Sequence, residues 1–325
     1  MENNTQVDLK KLFLEFTMST FMEMGVGQDL DWIGREERHP FEGPSMKRWL
    51  NIGKEKMFAE YCTTLKTFIN GVVQESIERV MEKRANGIVT NEQEAVKSIV
   101  ELFVEQSDED ADGLRSEDLI EFILTFVIAT RDTTALTLSW MFYELGRNPH
   151  VVETTRKEME EKLDVKKDAY LTAKDIRSLT YLEAVTKESL RFHPVAPFTT
   201  RQASKDAFVC GDIPVKKGQT VGLSVYPVSR NPMVWGPDAH EFKPERWVDP
   251  QTGSIKITKL FTFASGPRIC VGMGLAMMEL RVVSVNLLRN YHFDVDLSKN
   301  DGSYTSGVTL ILKYPLLVNV KRVST

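Results

Sequence analysis

The sequence has few cysteines, no long apolar run near its start and no long run of basic residues. Its 325 residues include three cysteines, Cys62, Cys210 and Cys270, which fit neither a disulfide framework nor the paired spacing of a zinc site. We therefore expect the protein to be located in a reducing compartment. Without a signal core or membrane span at the start, we expect this chain to carry no anchor of its own. The 41 basic and 46 acidic residues give a net charge of -5, which argues against nucleic acid as a partner.

The overall composition is that of a globular protein. Hydrophobic residues make up 42% of the chain and charged residues 27%, both close to globular averages, which argues against a disordered, fibrous or multispanning membrane protein. A chain of this length can bury a hydrophobic core large enough to be stable without disulfides or structural metal ions. Length alone allows two average domains or one large one.

Helical periodicity dominates the chain up to residue 192. Gly25 and Gly27 end the first predicted helix, and Ser116 is a good start for the longest one. Residues 122–130 of that helix carry no charge and are apolar on every side, which predicts passage through the interior. The helices are expected over Val7–Met24, Ser45–Ala85, Asn91–Gln106, Ser116–Leu145, Val151–Leu163 and Leu182–Phe192.

The sequence pattern changes from helical periodicity to short alternating segments after the last of these helices. Short alternating segments separated by turn residues predict small strands over Phe198–Val225. Residues 309–320, "TLILKYPLLVNV", predict a closing β-hairpin. We therefore predict a mainly α fold, one helical body with a minor β-sheet.

Cys270 differs from the other two cysteines in its neighbours. Cys62 and Cys210 are interpreted as small buried hydrophobic residues. Cys270 precedes a predicted helix whose first amides favour a thiolate, which could be a nucleophile or a metal ligand. Catalysis by a nucleophile needs a nearby base, and no motif delivers one from the five histidines, His39, His150, His193, His240 and His292.

The residues around Cys270 favour the ligand interpretation. Gly266 permits an unusual turn, and Gly272 removes a side chain where a flat group would approach the backbone. Arg268 offers a planar fork suited to a carboxylate. A flat ligand that bears carboxylates and iron is haem.

These residues form a known signature. Phe263, Gly266, Arg268, Cys270 and Gly272 fall on the pattern Phe-x-x-Gly-x-Arg-x-Cys-x-Gly, so the chain resembles the cytochrome P450 family. The resemblance implies that Cys270 is the axial thiolate of haem iron. It also implies that Arg268 pairs with a haem propionate and that Phe263 packs beside the thiolate.

A second segment supports the resemblance. By themselves Glu188 and Arg191, three residues apart on a helix, would be read as a surface pair worth about 0.2 to 0.5 kcal/mol. However, "KESLRFHP" resembles the family's Glu-x-x-Arg helix, and "FKPERW" resembles its Pro-Glu-Arg segment. The resemblance implies a buried triad of Glu188, Arg191 and Arg246 that serves folding around the haem.

The longest predicted helix contains "ATRDTT", residues 129–134. Threonines in mid-helix are ordinarily tolerated by bonding back to a carbonyl one turn earlier. The stretch is similar to the family's oxygen-activation motif, which implies roles for Asp132 and Thr133 in proton delivery and in stabilising bound dioxygen. Thr130 stands where the family usually has glycine, so its side chain is expected to narrow the groove for oxygen.

The resemblance covers the chain from end to end and defines the expected protein. It implies one partial cytochrome P450 domain over residues 1–325, with a haem-binding loop at 261–272 and an oxygen-activation helix at about 116–146. The implied cofactor is haem b, and NADPH supplies electrons through a reductase. A full-length member is expected on the cytoplasmic face of the endoplasmic reticulum membrane. The sequence, which lacks the N-terminal portion, is expected to come either from an incompletely predicted gene or from a genuinely truncated paralogue.

The expected activity is a haem-thiolate monooxygenase acting on a lipophilic substrate. The segment from Ser224 to Trp247 looks most like fatty-acid ω-hydroxylases of that family. The implied substrate contacts, each also explicable as core packing, are Phe126, Ala129, Pro197, Phe198 and Val308. The alternative is a non-catalytic helical protein of the same fold that acts through protein contacts.

Overall fold

The computed structural model describes residues 5–27, 55–85, 98–107, 116–163, 170–256 and 260–323. Helices dominate this part of the chain, so the prediction of a mainly α fold is confirmed. The helices are α1 (Leu9–Val26), α2 (Glu55–Ala85), α3 (Ile99–Ser107), α4 (Ser116–Arg147), α5 (Pro149–Lys162), α6 (Ala173–Ser178), α7 (Thr180–Phe192), α8 (Val225–Val228), α9 (Pro232–Trp235) and α10 (Met273–Asn290).

The strands form small antiparallel sheets. The strands are β1 (Thr5–Asp8), β2 (Phe198–Gln202), β3 (Ala207–Val209), β4 (Ile213–Val215), β5 (Thr220–Ser224), β6 (Tyr291–Val295), β7 (Tyr304–Ser306), β8 (Leu310–Leu312) and β9 (Leu317–Arg322). The order in the largest sheet is β1-β9-β6, and the other pairs are β2 with β5, β3 with β4, and β7 with β8. The strands predicted over Phe198–Val225 are confirmed.

The predicted closing hairpin is wrong. β8 pairs with β7, whereas β9 pairs with β6 and β1, so the two strands of "TLILKYPLLVNV" belong to different sheets. Pro315 lies between them and cannot donate a ladder hydrogen bond. The ammonium of Lys10 donates to the carbonyl oxygens of Leu312 and Tyr314, both at 3.2 Å, and so satisfies the backbone of the connection.

Most of the predicted helices are present in the structure, with boundaries close to the predicted ones. The first helix starts later than predicted, because Val7 and Asp8 pair with Val318 and Leu317 in the sheet. It ends before Gly27, whose φ of 71° is a conformation that favours glycine. Residues 45–54 and 91–97 of two predicted helices lie outside the described residues. The short helix α6 was not predicted, although Thr172 and Asp175 form a capping box at its start.

The chain divides into two compact units, residues 1–13 with 133–325, and residues 14–132. In the second unit, α1, α2, α3 and the first half of α4 enclose an apolar core. From α4 the core takes Leu119, Ile123 and Val127, which recur every four residues and so share one helix face.

The rest of that segment of α4 contradicts the sequence prediction. Residues 122–130 were expected to be buried on all sides, but Phe122 is 44% exposed and Ile128 is 69% exposed. Apolar composition therefore identified the helix correctly but not which of its faces is covered, because the core takes up only the face that carries Leu119, Ile123 and Val127.

The first unit is built around the second half of α4. Trp140 lies fully buried there, where its indole N–H donates to the carbonyl oxygen of Leu310 at 3.0 Å. Its ring stacks on His193 with centroids 3.9 Å apart. These contacts join α4 to strand β8 and to the end of α7. In the described part of the chain, we find no helix with the length and apolarity needed to cross a bilayer.

Candidate functional site

The loop before α10 is built from two 3-10 turns, Phe261–Phe263 and Gly266–Arg268. Ala264 between them has a φ of 59° and Gly266 a φ of 72°, so the chain reverses sharply twice. The amide of Cys270 donates to the carbonyl oxygen of Phe263 at 2.9 Å, which closes the loop. The backbone thereby holds Cys270 in place just before the helix begins.

The end of this loop is exposed and apolar. Cys270 is an exposed free thiol, and Arg268 beside it is also exposed. Val271 is 84% exposed, and Ile269 is about half exposed. Large exposed apolar side chains around one thiol mark a surface that a ligand can cover. The predicted residues Phe263, Arg268, Cys270 and Gly272 thus lie along one loop, and their roles toward a cofactor stay predictions.

A pocket of about 230 Å³ adjoins the same loop. Phe261, Ala264 and Ser265 line one part of it, and residues of β2 and β5 line the rest. Arg201 of β2 is among them, and its guanidinium donates to the carbonyl oxygen of Thr200 at 2.7 Å. The sequence analysis missed Arg201, because only the pairing of β2 with β5 brings this arginine to the loop.

A larger cavity of about 590 Å³ lies in the same unit, and none of its lining residues belongs to the cysteine loop. Acidic and basic side chains both line it, among them Glu144, Arg147 and Lys243. Neighbouring Glu144 accepts from Nε2 of His193 at 2.8 Å, and burial lowers the pKa of that histidine. We assign this cavity no role in the candidate site.

The predicted contact of Glu188 with Arg191 and Arg246 is confirmed. Arg191 reaches both carboxylate oxygens of Glu188 at 2.8 Å, and Nε of Arg246 donates to one of them at 2.9 Å. The indole of Trp247 and the amide of Lys243 complete the donors, at 2.9 and 2.7 Å. The carboxylate of Glu188 is fully buried and accepts from every one of these groups. We call these five residues the Glu188 network.

Asp238 extends the Glu188 network towards the surface. Hydrogen bonds from Lys243 and Arg246 lower the pKa of Asp238 to about 2. Burial alone would lower the pKa of Arg246, but the carboxylates of Glu188 and Asp238 outweigh it and raise that pKa. Asp238 and Arg246 therefore stay ionised at neutral pH.

The candidate oxygen-activating residues lie in the middle of α4. Asp132 forms an ion pair with Arg131 at 3.1 Å, and its side chain remains 42% exposed. The carbonyl oxygen of Thr133 accepts from the hydroxyl of Thr137 at 2.7 Å. Thr130 donates its hydroxyl to the carbonyl oxygen of Phe126 at 2.8 Å, the back-bonding expected of a threonine in mid-helix. The catalytic roles of Asp132 and Thr133 stay predictions.

Glu279 of α10 is a second residue that the sequence analysis missed. It lies near Thr134 of α4, which is buried. Burial raises the pKa of Glu279 to about 7, against a weaker opposing effect of the Thr134 hydroxyl.

The other cysteines and the expected substrate contacts differ in how exposed their side chains are. Cys210 was expected to be buried and is exposed instead, because it sits with a φ of 52° at the turn between β3 and β4. The side chain of Cys62 lies outside the described residues. Phe198 and Val308 are exposed and Pro197 is partly buried, so these three are open to a ligand.

Comparison with known proteins finds similarity along nearly the whole chain. A family model described as Cytochrome P450 matches residues 6–320. The chain is 28% identical to "Cytochrome P450 monooxygenase cyp1" of Mycosarcoma maydis over 97% of its own length. It is 27% identical to "Cytochrome P450 704C1" of Pinus taeda over 91%, and 28% identical to "Noroxomaritidine synthase 1" of Narcissus pseudonarcissus over 85%.

The relatives are considerably longer than this chain. The alignments cover 54%, 63% and 53% of the three relatives in the same order. The chain therefore spans little more than half the length of the curated proteins that it matches.

Proposed function

The chain belongs to the cytochrome P450 family, and from that premise we propose that it is a haem-thiolate monooxygenase. In this reaction one oxygen atom of dioxygen enters a lipophilic substrate and the other leaves as water. The observation that carries the proposal is the position of Cys270, held by its backbone at the end of a closed loop and three residues before α10 begins. The Cytochrome P450 match over residues 6–320 supports it.

The residues around Cys270 fit a haem by the chemistry of their donors. Haem has a flat apolar ring, propionate carboxylates and one iron that accepts a thiolate. The loop offers one exposed thiol, a neighbouring guanidinium on Arg268 and the exposed apolar side chains of Ile269 and Val271. Among the described residues there is no cluster of three or more His, Cys, Asp or Glu side chains that would hold a bare metal ion. Haem iron is already bound by the nitrogens of its own ring, so a single protein thiolate is enough to ligate it.

Each proposed site residue has a separate task. Cys270 would ligate the iron, and Arg268 and Arg201 would bind the propionates through charge-assisted hydrogen bonds. When bound, a thiolate-ligated haem activates dioxygen, because electron density from the sulfur favours O–O cleavage. Asp132, half exposed beside Arg131, is suited to exchange a proton with solvent through its carboxylate.

The substrate and the electron donor are finer parts of the proposal. We infer a lipophilic substrate, with a fatty acid as the leading class, from the resemblance of residues 224–247 to fatty-acid ω-hydroxylases. The exposed side chains of Phe198 and Val308 give apolar surface in one unit, and Phe122 and Ile128 give it in the other. NADPH would supply electrons through a reductase, as the family implies.

The test is haem binding by the chain itself. Residues 1–325 are produced with haem supplied, and the spectrum of the reduced, carbon-monoxide-bound protein is recorded. We expect a thiolate-type Soret band, and we expect Cys270→Ala to abolish it, because the sulfur is the proposed ligand. The Cys210→Ala variant, which removes another exposed thiol, is the matched control and should leave the band unchanged.

The spectrum also separates the proposal from its alternative. An absent haem band in the unchanged chain, or a thiolate band that survives Cys270→Ala, contradicts the proposed site. The first outcome favours a non-catalytic protein of the same fold, which acts through protein contacts.

A further inference from the structure

The last turn of α7 carries a buried carbonyl group that its own helix does not satisfy. Leu190 lies two residues before the end of α7 and is 2% exposed. The residue four positions later, whose amide would donate to this carbonyl in a longer helix, is Pro194, which has no N–H. The carbonyl oxygen of Leu190 therefore needs a donor from another element, because an unpaired polar group is costly to bury.

Thr262 supplies that donor. Its hydroxyl donates to the carbonyl oxygen of Leu190 at 2.7 Å, across 72 residues of sequence. Thr262 lies in the 3-10 turn Phe261–Phe263, which opens the cysteine loop, residues 261–272. Between the described residues, this is the only hydrogen bond that joins the cysteine loop to an element other than α10. Apart from packing, the position of the loop against α7 thus depends on one hydroxyl group.

The same turn holds Cys270 from its other side. The carbonyl oxygen of Phe263, the residue after Thr262, accepts from the amide of Cys270 at 2.9 Å. On the helix, Leu190 lies in sequence between Glu188 and Arg191, which are fully buried and bonded to each other. Hydrogen bonds therefore lead from the Glu188 network, through α7 and Thr262, to the backbone of Cys270.

We propose that Thr262 is a positioning residue, whose hydroxyl fixes the cysteine loop to the end of α7 and thereby holds Cys270 in place to bind iron. The inference rests on the proposed function in one respect, since it takes Cys270 as the haem ligand. Without the hydroxyl, the carbonyl of Leu190 is left unpaired, and the turn moves away from α7 to let water reach it. The carbonyl of Phe263 moves with the turn, and the amide of Cys270 moves with that carbonyl.

The hold on the loop is tested without haem, by hydrogen exchange. The amides of Ala264, Ile269 and Cys270 are bonded inside the loop, so the peptide that contains them reports its opening. Thr262→Val removes the hydroxyl with little change of shape. We expect exchange of this peptide to quicken by roughly 2- to 10-fold, the effect of one hydrogen bond on an equilibrium. Thr262→Ser keeps a hydroxyl and should keep the slow exchange.

Thr186 offers a matched control on the same helix. It is fully buried, and its hydroxyl donates to the carbonyl oxygen of Leu182 at 2.9 Å. Unlike Leu190, Leu182 also has an intrahelical donor four residues later, the amide of Thr186 itself. Thr186→Val should therefore leave exchange of the cysteine loop unchanged. Equal exchange in Thr262→Val and the unchanged chain, or an equal quickening in Thr186→Val, overturns the hold.

Positioning of Cys270 needs a readout at the cofactor. In the haem-loaded chain we measure the ratio of thiolate-ligated haem to all other haem in the reduced, carbon-monoxide-bound form, from the Soret bands. We expect Thr262→Val to lower this ratio by roughly 2- to 10-fold. Thr262→Ser and Thr186→Val should leave it unchanged. A loss of stability alone does not give this pattern, because Thr186→Val also removes a buried hydrogen bond.

The two measurements fail independently. Equal ratios in Thr262→Val and the unchanged chain, together with faster exchange, overturn the positioning role and leave the proposed function intact. A chain that binds no haem overturns the proposed function, and the positioning role with it, whereas hydrogen exchange still decides whether Thr262 holds the loop. If circular dichroism shows that Thr262→Val does not fold, Thr262→Ala and Thr262→Ser, which differ by one hydroxyl group, are compared in its place.

Discussion

Replacing Glu188 with alanine is expected to lower the free energy of unfolding by about 3 to 5 kcal/mol, because it leaves the buried guanidinium of Arg191 without its carboxylate partner. The carboxylate of Glu188 is fully buried and accepts hydrogen bonds from Arg191, Arg246, Trp247 and the amide of Lys243. Arg191 is itself fully buried, so water cannot replace the lost partner without opening the core. Urea unfolding followed by circular dichroism measures the change.

A matched control comes from the same class of residue at the surface. Glu161 pairs with Lys157 at 3.9 Å, with both side chains largely exposed. Glu161→Ala should therefore change the free energy of unfolding by less than about 0.5 kcal/mol. A loss below about 1 kcal/mol in Glu188→Ala, with an unchanged urea dependence, would show that the Glu188 network does not hold the fold together.

Replacing Trp140 with alanine is expected to cost a similar amount, about 3 to 5 kcal/mol, for an apolar reason. The side chain is 1% exposed, stacks on His193 and meets Tyr143 edge-on with ring centroids 5.8 Å apart. Its removal opens a cavity at the point where α4, α7 and β8 meet, and it leaves the carbonyl of Leu310 without its indole donor. Thermal and urea unfolding of the variant measure the loss.

Two substitutions divide this effect into its parts. Trp140→Phe keeps most of the ring and loses the indole donor, so we expect a cost of about 1 kcal/mol plus that of a smaller cavity. Phe208→Ala removes a ring that is already 70% exposed and should cost less than about 0.5 kcal/mol. If Trp140→Ala costs no more than Phe208→Ala, the aromatic packing around α4 carries little of the stability.

Local signals in the sequence were sufficient where a residue's role depends on its neighbours along the chain. The start of α4 at Ser116, the end of α1 before Gly27 and the turn at Gly266 each follow from local backbone preferences. The loop at Cys270 was identified because its fixed residue types fall within ten positions. The contact of Arg246 with Glu188 spans 58 residues and was predicted only through the family resemblance.

Other features depend on partners that no local pattern specifies. Whether β9 pairs with β8 or with β6 is decided by tertiary packing, and periodicity is the same in both cases. The face of α4 at Ile128 is apolar in sequence yet exposed, because composition does not say what covers a helix. The hydrogen bond from the indole of Trp140 to the carbonyl oxygen of Leu310 joins residues 170 positions apart, so the sequence gives no sign that these two groups meet.

The central position of β9 in its sheet has a consequence for synthesis. β9 lies between β1 and β6, and its pairing with β1 joins Thr5 to Val320. The backbone donors and acceptors of β1 that pair with β9 therefore stay unpaired until residues 317–322 have been synthesised. Nascent chains halted on the ribosome before Leu317 should remain open to chaperones and proteases at both β1 and β6.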